Sequence, residues 1–316
     1  MLEGKNHANS RLFMLKRTYR LLKIMAFVAA GSFICACFAC PSLSAQFVDA
    51  LGRKIDLHDR PARIVSLAPS ITEILYFLGL GDRVVGVTKF SNYPPEAASR
   101  PKVGSYVKLN VESIIGLAPD LAIGTVDGNS PSAVKILEQA GIKVYLVNPR
   151  NVVDAVATIP LIGMVCGAGR EAEAAAEGLK QRIEKVKRMT EGGARPKVFL
   201  QINLRPIMSV NRNTFHHDVI HAAGGINVTG DEVLNYPRVG IEEVIRIDPD
   251  VIVISSMERG GEYEKARIEW FNWKGIKAVK EGRVHLIDSD LLDRPSPRLV
   301  DGIEEMYRII HQGAVR

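Results

Sequence analysis

The chain has 316 residues, enough to bury more than one core, so two domains of about 100–150 residues are expected. Its formal net charge is +6, but the excess sits at the start: residues 1–45 hold Lys5, Arg11, Lys16, Arg17, Arg20 and Lys23 against Glu3 alone. The remainder, 35 basic against 34 acidic residues, is almost neutral, so the high pI gives no reason to expect a nucleic-acid partner.

Residues 1–45 read as an export signal. A basic region ends at Lys23, an apolar or small run covers residues 24–40, and Leu43-Ser44-Ala45 is a small-residue cleavage site before Gln46. The run is short for a spanning helix, and no other segment reaches eighteen apolar residues. Ile34-Cys35-Ala36-Cys37 also resembles, imperfectly, the box at which lipoproteins are cut and lipidated. A membrane-anchored form therefore stands beside the soluble periplasmic or extracytoplasmic one. Three of the four cysteines (Cys35, Cys37, Cys40) lie in this segment, which leaves Cys166 alone after cleavage and no intrachain disulfide.

A polar leader, residues 46–60, turns at Gly52-Arg53. The first lobe, residues 46–149, then alternates apolar strands at 63–67, 84–87, 121–124 and 143–147 with helices at 73–78, 111–117 and 130–140. Ser70 or Thr72 is expected to cap the first helix, and Pro119 to stop the second. Such alternation argues a parallel sheet covered on both faces. Residues 150–190 form the connection. Ala174, Ala175, Leu179, Ile183 and Val186 make a one-sided 3.6-residue pattern, and residues 151–189 are expected to form one helix of about 50 Å, kinked at Pro160. The alternative is two helices joined near residues 167–169. After the polar break 191–196, the second lobe, residues 191–316, has strands at 197–202, 251–255 and 284–287, with 206–210 as a further candidate strand. Its helices are expected from Thr214 to Ala223, over 241–247, over much of 263–278, and over 297–311. The fold class is α/β: two Rossmann-like lobes with parallel-rich sheets, joined by a long rigid backbone helix.

An internal match supports that division. Residues 110–123 align with 240–253, each a short helix closed by Pro-Asp and followed by a buried strand. Glu112 and Glu242 take equivalent places near the helix starts, where an acid also suits the helix dipole.

Enzyme signatures are missing: there is no phosphate-binding glycine loop, dinucleotide fingerprint or Gly-x-Ser-x-Gly elbow. His216, His217 and His221 cluster, but a metal would need a third ligand and an open pocket, and helix-end packing explains them better. What remains are residues at strand-to-helix loops: Phe90, Tyr93, Tyr106, Met208, Tyr236 and the turn Asp293-Arg294-Pro295. At the carboxyl edges of two facing sheets they would line a cleft suited to a large, partly flat ligand.

Residues 63–73 (RIVSLAPSITE), Gly86-Val87-Thr88, Tyr93-Pro94-Pro95, Val103-Gly104-Ser105, Ala223-Gly224-Gly225-Ile226-Asn227 and Arg294-Pro295-Ser296-Pro297-Arg298 occur in order. This set resembles the cobalamin and iron-chelate substrate-binding proteins of ABC importers, over residues 47–311. The resemblance implies a rigid, monomeric bilobed receptor without cofactor or catalytic residues. It implies as partner a permease dimer with its ATPase, onto which Glu112 and Glu242 dock. Glu243 is adjacent and stands as a substitute. The resemblance is greatest to the vitamin B12-binding branch, whose pocket positions fall here at Phe90, Tyr106, Thr125, Met208 and Tyr236. Thr125 and Met208 replace aromatics of that branch. Haem-binding relatives would use Tyr106 or Tyr236 as iron ligands, and ferric-siderophore receptors would use Arg205, Arg238 and Arg294 against an anion. An enzyme acting on a tetrapyrrole or metal chelate is the competing class.

Overall fold

The computed structural model describes residues 45–255 and 261–311, so the signal and lipoprotein expectations lie outside the described residues. The leader is a two-stranded sheet of β1 (Ala45–Val48) and β2 (Lys54–Leu57), turned at Gly52 with φ of 74°. Asp49 fixes the turn by accepting from the Leu51 and Arg53 amides and pairing with the Arg53 guanidinium at 2.5 Å.

The first lobe runs β3 (Ile64–Ser66), α1 (Pro69–Phe77), β4 (Val84–Gly86), α2 (Pro95–Ala98), α3 (Val111–Gly116), β5 (Leu121–Thr125), α4 (Pro131–Gln139) and β6 (Lys143–Val147). Its four strands are all parallel, in the order β4-β3-β5-β6. Helices α5 (Val152–Val165) and α6 (Gly169–Thr190) follow. The second lobe runs β7 (Lys197–Gln201), α7 (Phe215–Ala222), β8 (Ile226–Asn227), α8 (Ile241–Ile247), β9 (Val251–Ile254), α9 (Glu262–Trp270), α10 (Lys277–Lys280), β10 (Val284–Leu286), α11 (Ser289–Leu292) and α12 (Leu299–His311). Its parallel order, β8-β7-β9-β10, repeats that of the first sheet strand for strand.

The aligned segments repeat in detail. Residues 111–119 and 241–249 share one sequence of exposed and buried positions. Each helix ends on a left-handed residue, Ala118 with φ 44° and Asp248 with φ 50°, directly before its proline. Each Pro-Asp carboxylate then clamps the start of its lobe's first strand. Asp120 accepts from the Ala62 and Arg63 amides, both at 2.8 Å, and Asp250 from the Lys197 amide at 2.7 Å. The motif is thus a staple between third and first strands, which explains why Pro-Asp stands at both places.

The connection differs from the single helix expected over 151–189. It is two helices, and the helix runs through Pro160 to break instead at Cys166-Gly167-Ala168, where Gly167 takes φ 72°. The chain then turns so that α6 packs along α5. Gly163 allows the close approach: a Cβ there would lie 2.2 Å from that of Ala172. The buried stripe of α6 is Ala172, Ala176, Leu179, Ile183 and Val186, so Ala174, expected inside, faces water. At 22 residues, α6 is about 33 Å long. Helix α5 packs on α1 of the first lobe and α7 of the second, and α6 on α12. One buried apolar cluster therefore runs from Ile64 and Leu121 through Ile159 and Leu179 to Val198, Val251 and Ile303. The other face of each sheet has its own cluster, around Val65, Ile114 and Leu137 in the first lobe and Phe199, Val244 and Trp270 in the second.

Candidate ligand cleft

In an open parallel sheet, chain direction reverses between two central strands, and the loops leaving them open a crevice at their carboxyl ends. In the first lobe that point lies between β3 and β5, and Asn129 fills it. Its side chain accepts from the Thr125 amide at 2.8 Å and donates to the carbonyls of Leu67 at 2.9 Å and Tyr106 at 3.0 Å. Asn129 is buried, so these bonds tie both strand ends to the loop that carries Tyr106. The Tyr106 ring lies on Gly128, where a Cβ would come within 1.7 Å of its Cζ, and its hydroxyl accepts from Thr125 at 3.3 Å. Tyr106 is therefore a held wall.

The second lobe contributes Tyr236, 45 % exposed on the loop before α8. Burial of the hydroxyl end pushes its phenol above the ordinary tyrosine value, and the charges of Asp293 and Asp127 add to this, with Tyr106 next. Asp127 and Tyr106 belong to the first lobe, so Tyr236 shares one electrostatic neighbourhood with the opposite wall. Asp127 pairs there with Arg150 at 2.7 Å, both open to solvent. Met208 is half-buried and pairs by backbone with Asn203 and Arg238, which brings the loop after β7 beside the loop before α8. Phe90, 55 % exposed, stands near Lys89, whose ammonium is 5.7 Å from the ring centre.

The arginines divide. Arg294 is mostly buried and fully engaged: it donates to Glu73 at 2.8 Å, Asn92 at 3.0 Å and the Phe90 carbonyl at 3.3 Å, and pairs with Asp290 at 2.8 Å. Ser296 also donates to Glu73, at 2.6 Å, and Arg298 stacks 4.0 Å above the Tyr93 ring. This segment of the second lobe is bolted to the first. Burial pushes the Glu73 carboxyl up, against the bonds from Ser296 and Arg294 that pull it down. Arg205 pairs with Glu269 at 2.5 Å, beside a cavity lined by the second lobe alone. Arg238 is exposed and makes no ion pair among the described residues.

The histidines act as packing groups. His216 is buried against Phe215 and meets Asp293 at 3.0 Å; His217 and His221 stack, and burial lowers the His217 imidazole. No group of three metal-ligating side chains occurs among the described residues. Sequence reasoning missed Asn129, Gly128 and Arg298. The turn-forming run Asp127-Gly128-Asn129 after a strand was the signal for the first two. Glu112 and Glu242 are exposed on the first turns of α3 and α8, and neither makes an ion pair among the described residues. Glu243, by contrast, is bound to Arg246.

The periplasmic binding protein family model matches residues 64–291. The chain is 34% identical to an uncharacterised ABC transporter substrate-binding lipoprotein of Bacillus subtilis, over 83% of this chain and 84% of that one. It is 30% identical to the vitamin B12-binding protein of Vibrio cholerae, over 77% of this chain and 87% of the relative. Among solved structures, the periplasmic haem-binding protein of Roseiflexus sp. superposes with a TM-score of 0.72 at 26% identity, covering 80% of this chain and 99% of that chain.

Proposed function

The chain belongs to the periplasmic binding protein family, and on that premise we propose that it captures a corrinoid between its lobes and delivers it to an importer permease. As a member of that family it is an extracytoplasmic substrate-binding protein of the ABC-importer type, which binds its cargo and does not transform it.

The observation that carries the corrinoid reading is the pair of tyrosine walls, Tyr106 and Tyr236, one from each lobe. Tyr106 is held against Gly128 and Tyr236 shares its electrostatic neighbourhood. Flat aromatic surfaces suit a large macrocycle of modest net charge. The similarity to a vitamin B12-binding protein points the same way. A ferric catecholate, being anionic, would call on arginines, yet Arg294 and Arg205 already hold carboxylates and only Arg238 of the three makes no ion pair among the described residues. Haem is the second reading, favoured by the likeness to a haem-binding structure. Its iron would need a tyrosinate, and the raised Tyr236 phenol resists that ionisation. For Phe90, Met208 and Arg238 we infer rim contacts, and for Thr125, which is buried, support of Tyr106 from beneath. The protein acts as a monomer in this reading, with Glu112 and Glu242 each meeting one subunit of a twofold permease.

The test is titration of the chain from Gln46 with cyanocobalamin, haemin and a ferric hydroxamate, followed by absorbance and calorimetry. Micromolar or tighter binding of cyanocobalamin alone is expected. Tight binding of haemin with a tyrosinate charge-transfer band transfers the reading to haem.

A further inference from the structure

One difference between the duplicated lobes follows their third strands. After its third strand each lobe carries a helix, α4 in the first and α9 in the second. In the first lobe α4 packs on α3, with Ile114, Val134 and Leu137 buried in one cluster. In the second, a cavity of about 500 Å³ lies between the start of α8, the loop after β7, and α9. Its floor is apolar, formed by Ile207, Ile241, Ala266 and Trp270, and Trp273, 41 % exposed, stands at its side. Two surface ion pairs rim it, Arg205 with Glu269 and Lys265 with Glu262 at 2.6 Å. The rim charges cancel, so an apolar group fits there better than an ion.

Ile241 puts this cavity one residue from Glu242. The acids that follow it on α8 and α9 are matched: Arg246 holds Glu243, and Arg267 holds Glu264 at 2.9 Å. Glu242 has no ion-pair partner among the described residues. The surface thus offers one uncompensated acid beside an apolar socket. Its complement is a segment carrying a basic side chain close to a large apolar one.

We propose that the cavity receives an apolar side chain of the permease subunit whose basic residue meets Glu242. The inference rests on the docking reading of Glu112 and Glu242 and adds an asymmetry to it. The second lobe anchors by charge and socket, whereas Glu112 presents its charge above helices that already close on each other. Neither tyrosine wall of the cleft lines the cavity, which favours a partner's side chain over part of the bound ligand.

Two variants test this: Ala266→Trp, which fills the socket, and Trp273→Ala, which removes an exposed wall and spares the core. Each is measured for binding to, and ATPase stimulation of, the cognate permease–ATPase complex in lipid nanodiscs, with cyanocobalamin affinity and thermal unfolding alongside. Docking is expected to weaken about tenfold or more in both, the loss of one buried apolar contact, with vitamin affinity unchanged within about twofold. A short cross-linker on Trp273→Cys should mark one permease subunit per complex. A parallel loss of vitamin affinity overturns the proposal by assigning the cavity to the ligand. Normal docking by folded Trp273→Ala and Ala266→Trp overturns it as well. Glu242→Arg separates the two ideas: if it abolishes stimulation and the socket variants do not, the docking acids stand and the socket fails. If Glu242→Arg is also silent, the docking reading itself falls.

Discussion

Glu73 of α1 and Arg294 after α11, 221 residues apart, meet at 2.8 Å with both side chains almost out of water. The contact joins the two lobes at a second place, beyond α5 and α6. Arg298 lies 3.6 Å from the same carboxylate, so one acid answers two guanidinium groups. A buried charge cluster of this kind adds little net stability but punishes the loss of one member. Combined with the apolar cluster shared by both lobes, it gives the cleft a fixed width.

Glu73→Ala should therefore cost about 3–5 kcal/mol in urea unfolding, because Arg298 loses its nearest acid and Arg294 keeps only Asp290 and neutral acceptors. Glu73→Gln, which still accepts from Ser296, should cost less. A loss below about 1 kcal/mol for the alanine variant contradicts a structural role for the pair.

Gly128→Ala tests the floor under Tyr106. The added methyl would occupy the ring's place, so the ring must swing away from Gly128. Ligand affinity is expected to fall about tenfold, equivalent to about 1.4 kcal/mol, with the thermal midpoint barely changed. Unchanged affinity would show that the ligand does not use this wall.

The two Pro-Asp staples should be worth similar amounts. Asp120→Ala and Asp250→Ala each release strand-start amides that lie at the surface, where water can replace the carboxylate, and each is expected to cost about 0.5–1.5 kcal/mol. Asp250 also holds Lys277 at 2.7 Å, an exposed pair that adds little. A threefold difference between the two would mean that the repeat is one of sequence and not of function.

Charge reversal at Glu112 and Glu242 together should abolish stimulation of the transporter and leave cyanocobalamin affinity unaltered, since both acids are exposed and neither is among the charges that act on Tyr236. Retained stimulation removes them from docking.

Acid stability carries a further mark. Arg182 joins α6 to α12 through Glu304 at 2.8 Å and Asp301 at 2.6 Å, and its hydrogen bond holds the Glu304 carboxyl below the usual range. The native state then binds fewer protons than the unfolded one as pH falls below about 4.3. This contribution is present above that pH and is lost on going down through the lowered native value. Urea midpoints from pH 6 to pH 3 should fall less steeply for Glu304→Gln than for the parent, and parallel curves contradict the assignment.

Much of the fold was legible because its signals are local. Apolar strands bounded by turns gave seven strands nearly to the residue, and the Pro-Asp repeat gave the duplication. The two-residue strand β8 was too short to show a pattern. For the connection, the favoured single helix kinked at Pro160 gave way to the alternative, two helices joined near residues 167–169. A proline interrupts a helix strongly only where its surroundings allow it, and α5 is packed on several sides. Gly167 takes the left-handed backbone that ends the first helix, a conformation glycine adopts without strain. In the cleft, sequence picked out the aromatic side chains but not what holds them. Asn129 works through three contacts far apart in sequence, and the engagement of Arg294 depends on Glu73, which no window on either residue contains.

Cys166 closes the turn between α5 and α6, wholly buried, with its thiol pushed up to about 12 by that burial and its carbonyl held by Arg83 at 2.9 Å. The chain from Gln46 onward therefore reaches its native state with no disulfide to form, and its one thiol is kept from oxidants. A thiol reagent can react only with molecules in which that seam has parted. The single thiol is thus a built-in clock for opening of the joint on which both halves depend.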